Sequence, residues 1–156
     1  MTVNHMPEGF HTVTPYLVVA DANAALQFYT EAFGARELYR LPMGDKVAHA
    51  EFMIGDSRLM ISDEWPDMDI YGPTKRGGAT TAFMIYVPDV DAAFDRAVQA
   101  GGRVDKPIEN QFYGDRSGTI VDGFGHKWTL ATHVEEAVRC TPPVCVSTSL
   151  STAGNR

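Results

Sequence analysis

His49 and Glu51 stand two residues apart in KVAHAEFMI, residues 46–54. In an extended strand, residues two apart project from one face. A single ligand can therefore meet an imidazole and a carboxylate together. That pair suits acid–base chemistry, because partial desolvation moves a glutamate toward a useful pKa. The same two side chains also suit a solvated rim or a subunit contact. A divalent ion held by His49, Glu51 and one further group is a third alternative.

A second concentration of reactive side chains lies in FYGDRSGTIVDGFGHKWTLATH, residues 112–133. It contains Tyr113, Asp115, Arg116, Asp122, His126, Lys127, Trp128 and His133. Most of it reads as scaffold: a strand, a turn at GFG and a second strand. His126 follows the turn and is expected to stabilise it. Trp128 is expected in the core. His5, His11 and His133 fall at or outside the edges of the elements and receive no role.

The elements that position these groups come in two copies. VADANAALQFYTEAFGA (19–35) aligns with VPDVDAAFDRAVQAGGR (87–103) at an offset of 68, 87 − 19. Val19/Val87, Asp21/Asp89, Ala24/Ala92, Ala25/Ala93, Ala32/Ala100 and Gly34/Gly102 are identical. In each copy a short apolar strand leads to an Asp that can cap a helix. The first helix carries an apolar stripe of Ala25, Leu26, Tyr29, Ala32 and Phe33; the second carries Ala93, Phe94, Ala97 and Val98. Gly34 and Gly101-Gly102 stop the helices. Three strands follow each helix, separated in the first copy by turns at PMGD and GDS. The fold class is therefore α+β, two βαβββ modules. The boundaries are an N-terminal extension (1–11), the first module (12–64), a Pro- and Gly-containing linker (65–79), the second module (80–134) and a C-terminal tail (135–156). Trp65 opens the linker, as a lid or a subunit contact.

This organisation resembles the glyoxalase, bleomycin resistance and dioxygenase, or vicinal oxygen chelate, superfamily. HAEFMIGDSRLMISDEWP, YVPDVDAAFDRAVQAGG and the 112–133 segment are similar to its PhnB-like branch. That branch usually reads DPFGH where this chain has Asp122-Gly123-Phe124-Gly125-His126. The resemblance implies a curled mixed sheet in each module, with the helix on its convex face and a cup on the other. It places the glyoxalase I metal ligands at Thr14, Met60, Ala82 and Thr129. None of these is His, Glu, Asp or Cys, so the resemblance brings the fold without that metal site.

Strand alternation then lines the cup with Thr14, Tyr16, Met53, Met60, Met84, Tyr86 and Thr129, beside His49 and Glu51. Leu17, Val19, Ala50, Phe52, Ile54, Leu59, Ile61, Phe83, Ile85, Trp128 and Leu130 face the helices. Tyr113 and Arg116 sit where a loop enters the third strand of the second module. Arg116 is expected to mirror His49, where a guanidinium suits an anionic or carbonyl-bearing ligand. The alternative is an ion pair with Asp115 or Asp122.

Three functions compete. One is a metal-free binder of a small aromatic or amphipathic molecule, since pockets are mostly apolar with few polar anchors and methionine adapts to shape. Another is a glyoxalase-like lyase or isomerase using His49 or Glu51; no cofactor is expected, and a divalent metal is the alternative. An interaction module without small-molecule chemistry is the third class. No Gly-rich loop follows a strand to hold a nucleotide-like cofactor.

The whole chain has 156 residues, 44% hydrophobic and 21% charged, with a net charge of −7. That charge disfavours nucleic acid. No apolar run approaches the ~18 residues of a membrane span. The N-terminal residues lack an apolar signal core, so a cytoplasmic protein is expected. Exposed sheet edges and apolar lining predict a homodimer. Cys140 and Cys145 read as free thiols of the tail, which, if ordered, is expected on a neighbouring chain or on its own sheet.

Overall fold

Asp21 and Asp89 begin the two helices in the same way. Each carboxylate accepts the backbone N–H three residues ahead, from Ala24 at 2.9 Å and from Ala92 at 3.0 Å. This satisfies donors that the first helical turn leaves orphaned. Gly34 ends the first helix at φ 68°, and Gly101 follows the second at φ 117°, both in backbone space that favours glycine.

The computed structural model describes residues 3–136; the Cys140–Cys145 segment and the expectation for the tail lie outside them. The described chain runs β1 (Tyr16–Val19), α1 (Ala22–Phe33), β2 (Arg36–Met43), β3 (Lys46–Ile54) and β4 (Ser57–Asp63), then a short 3-10 turn at Pro66–Met68. The second half follows as β5 (Ala82–Tyr86), α2 (Val90–Gln99), β6 (Arg103–Asn110), β7 (Asp115–Val121) and β8 (Lys127–His133). The sheets are ordered β1-β4-β3-β2 and β5-β8-β7-β6. β1 pairs with β4 and β5 with β8 in parallel; the other pairs are antiparallel. These are the two βαβββ modules expected from the repeat.

One face of each sheet packs on its helix. Leu17, Val19, Ala50, Phe52, Leu59, Ile61, Trp128 and Leu130 are buried as alternation predicts, and Phe83 and Ile85 are half-buried against the same core. Burying each large side chain contributes about 1.5–3 kcal/mol. The modules also share an aromatic cluster. Trp128 lies 5.1 Å from Tyr29, 4.9 Å from Phe33 and 4.7 Å from Phe83 between ring centroids. Two details differ from expectation. Val98 is exposed rather than part of the α2 stripe, and β2 runs on through Pro42 and Met43, leaving only Gly44 and Asp45 as the turn. Proline is tolerated there because β2 is an edge strand. No helix among the described residues is long and apolar enough to cross a membrane.

Candidate functional site

Strand pairing in the first sheet sets Tyr16 beside Met60, Met60 beside Glu51 and Glu51 beside Tyr39, one row across four strands. The row lies on the face away from α1, because the residues alternating with it are the buried ones. β3 has an irregularity here: Leu41 pairs with His49 but Pro42 pairs with Val47. Ala48 is the extra residue of a bulge. The bulge leaves Val47 buried in the core while His49 stays on the open face with Glu51.

His49 links the row. The Tyr16 hydroxyl is 2.9 Å from its Nδ1, and its Nε2 is 3.4 Å from Glu51 Oε1. Glu51 Oε2 lies 3.3 Å from Nη1 of Arg58. With the Glu51 carboxylate facing arginine, the network assigns the imidazole proton to Nε2, leaving Nδ1 to accept from Tyr16. The imidazole is flanked by two tyrosine rings, Tyr16 edge-on at 5.4 Å and Tyr39 at 6.3 Å. Arg58 is covered by the N-terminal segment, its guanidinium 4.2 Å from the Phe10 ring. Its Nε is buried with no hydrogen-bond partner among the described residues.

Of the residues singled out from sequence, Tyr16, His49, Glu51, Met53 and Met60 are thus brought together on one face, with Met53 beside Arg58. Thr14 is half-buried just ahead of β1. Met84, Tyr86 and Thr129 share the open face of the second sheet, where Thr129 Oγ1 lies 2.9 Å from Thr119 Oγ1. Tyr113 is exposed in the loop before β7.

Arg116 does not join them. β7 pairs Thr119 with Thr129 where β3 pairs Glu51 with Met60, so Ser117 and not Arg116 corresponds to His49. One residue of parity moves a side chain to the other face. Arg116 therefore lies toward α2, donating to Asp91 at 2.8 and 2.7 Å and to Asn110 at 3.0 Å. Its ion-pair partner is Asp91, not Asp115 or Asp122.

Arg58 and Tyr39 were missed from sequence. Arg58 precedes Met60 by two, so alternation alone placed it on the same face. Tyr39 needed the register of β2, which the bulge shifts. The second sheet holds a further trio, of which only Tyr86 was expected at a site: Asp115 accepts from the Tyr86 hydroxyl at 2.9 Å and bonds His133 Nδ1 at 2.8 Å.

The Asp122-to-Trp128 hairpin joins the modules. One Asp122 oxygen accepts from the backbone of Phe124 and His126, and the other accepts from Trp128 Nε1 and the Tyr29 hydroxyl, all at 2.9 Å. His126 Nε2 reaches the Val18 carbonyl at 3.1 Å. Its role is to hold the hairpin against the first module, beyond the turn itself.

The metal positions can be tested on their chemistry. Met60 lies beside Tyr16, and Thr129 beside Met84. Together with Thr14 and Ala82 this offers hydroxyls, a phenol, thioethers and a methyl. Those do not fit a glyoxalase-type divalent ion, which takes imidazole, carboxylate or thiolate. Among the described residues no three His, Cys, Asp or Glu side chains form a metal-holding group.

Comparison with known proteins agrees with this architecture. The chain is 41% identical over 140 residues to uncharacterized protein Rv0887c of Mycobacterium tuberculosis, covering 87% of this chain and 80% of that one. The crystal structure of protein PA1353 from Pseudomonas aeruginosa is similar with a TM-score of 0.64 at 26% identity, over 81% of this chain and 100% of that one. TioX from Micromonospora sp. ML1 gives a TM-score of 0.62 at 25% identity, over 80% of this chain and 98% of that one. The sequence model of one family matches residues 9–130. The chain belongs to that family, the Glyoxalase/Bleomycin resistance protein/Dioxygenase superfamily.

Proposed function

We propose that the open face of the first module binds a small aromatic or amphipathic molecule without a metal ion. The observation that carries this is the Tyr16–Met60–Glu51–Tyr39 row with His49 set between the two tyrosine rings. Aromatic and thioether groups form a platform for a ring. The linked polar groups offer few, oriented anchors, as ligand sites do. The relevant titration uses anilinonaphthalene sulfonate, a fluorescent amphipathic aromatic. Saturable binding by the wild type, weakened about tenfold by Tyr16→Ala and by Arg58→Ala, is expected; equal binding by both variants rules the face out. A tenfold change corresponds to ~1.4 kcal/mol, the scale of one good contact.

The polar chain favours a second reading, a lyase or isomerase. The Tyr16 hydroxyl is the exposed end of a relay whose interior is His49 and Glu51. A proton taken by His49 Nδ1 through Tyr16 leaves a positive imidazole balanced by Glu51. Deuterium uptake at the carbon next to the carbonyl of acetophenone, followed by NMR, is the test. Uptake catalysed by the wild type and lost in His49→Ala supports turnover; uptake no faster than buffer removes it.

The proposed assembly is a homodimer. Leu41 and Met43 on the edge strand β2 are about half exposed, and a second copy covering that edge removes this apolar surface from water.

A further inference from the structure

The second module carries a trio that the first does not, and its chemistry runs in the opposite order. On the first sheet the carboxylate is innermost, the imidazole is in the middle and a tyrosine hydroxyl is the exposed end. On the second sheet Asp115 is in the middle. It is buried, accepts from Tyr86 with one oxygen and bonds His133 Nδ1 with the other. The exposed end is then Nε2 of His133, with the fully exposed Glu136 3.9 Å away. Asp115, His133 and Tyr86 occupy β7, β8 and β5, so three strands of one sheet hold the arrangement.

A buried carboxylate fixing Nδ1–H stabilises the imidazolium and aims its Nε2–H outward as a charged donor. Tyr86 is locked too, since its only proton is committed to Asp115. In the loop before β7 the exposed rings of Phe112 and Tyr113 lie 5.2 Å apart, and the Tyr86 ring is exposed on β5. Asp115 lies below its ordinary pKa because His133, and then Tyr86, bond to it. His133 is raised by the same hydrogen bond.

We propose that the open face of the second module is a separate binding site for acidic hydroxyl compounds of the phenol class. The ring lies against Tyr86 and Tyr113, and the hydroxyl oxygen meets the N–H of the His133 imidazolium at Nε2. The O–H bond of the phenol breaks, its proton goes to water, and the phenolate is held by the imidazolium, itself paired with Asp115. The charged groups facing His133 are Asp115, which also holds Tyr86, and Glu136. This goes beyond the site on the first module and shares no side chain with it.

The probe is para-nitrophenol, whose phenolate absorbs where the phenol does not. At a pH below the probe's own pKa, saturable binding to the wild type is expected to raise the phenolate band. His133→Gln keeps a polar exposed side chain and is expected to bind about tenfold more weakly without the band, the loss of one charge-assisted hydrogen bond. Asp115→Asn, followed by proton NMR of His133, is expected to bring that imidazole down toward its ordinary pKa and to reduce the band. An unchanged probe spectrum on the wild type, or the same band in His133→Gln, overturns the proposal. Failure of the anilinonaphthalene sulfonate titration leaves this result untouched, because the two probes report on different residues.

Discussion

Tyr29, on the helix of the first module, donates its hydroxyl proton to Asp122 of the second at 2.9 Å. Both groups are buried. Burial, the Asp122 charge and the hydrogen bond all hold the tyrosine well above its ordinary pKa, so the donor stays protonated. This is a polar clasp inside the aromatic cluster that joins the halves. Tyr29→Phe removes one of four donors to Asp122 and is expected to cost about 1–3 kcal/mol. Asp122→Ala orphans all four donors and is expected to cost more. Urea unfolding of both variants checks the order; equal midpoints for Tyr29→Phe and wild type contradict it.

Gly118 and Gly123 lie five residues apart but tolerate different changes. A Cβ at Gly118 meets the Phe94 ring at 2.7 Å and Ile108 at 2.9 Å. Gly118→Ala is therefore expected to destabilise by ~1–3 kcal/mol through overpacking. At Gly123 a Cβ meets nothing within 4 Å and φ is not left-handed. Gly123→Pro is expected to stabilise by ~0.4–1 kcal/mol by restricting the unfolded chain. Thermal melts of the two variants should move in opposite directions.

The Asp115–His133 pair sets a pH window. His133 is raised from its ordinary value of 6.5, so its stabilisation is full below about 6.5 and is lost as pH rises through the folded value. Asp115 is lowered from 3.8, so its share is present above that value and lost as pH falls through the depressed one. The melting difference between wild type and His133→Gln is expected to be largest between these limits. A difference that grows as pH rises past neutrality contradicts this.

Phe10 lies over Arg58 at 4.2 Å. Phe10→Ala is expected to cost about 0.5–2 kcal/mol, the range of a partly desolvated cation–π contact, and to weaken anilinonaphthalene sulfonate binding by loosening Arg58. Affinity equal to wild type places Phe10 outside the site.

The proposed dimer gives a further expectation. Light scattering at micromolar concentration should report twice the chain mass, falling to the chain mass in Leu41→Asp. A monomeric wild type contradicts the dimer.

Much of the fold was legible because the repeat, the Asp caps and the strict alternation of β1, β4, β5 and β8 all reported the same geometry. Trp128 and Phe52 had to face the helices, and that fixed Tyr16, Met60 and Glu51 on the other side. What failed was parity across loops. Arg116 is one residue short of the place that mirrors His49; strand pairing gives that place to Ser117. His133 was discounted as lying beyond the last strand, yet β8 includes it, and its partner Asp115 is fixed only by β7–β8 register. Arg58 carries a sequence signal, its place two residues before Met60 on the same strand. The cover supplied by Phe10 is a long-range contact with no local pattern.

Elemental analysis after dialysis against nickel or zinc bears most directly on a binding face built without a metal. Well under one ion per chain is expected, with anilinonaphthalene sulfonate affinity unchanged by prior treatment with chelator. About one tightly held ion per chain, lost in His49→Ala and needed for the probe to bind, would contradict the metal-free site and favour a displaced metal centre on His49 and Glu51.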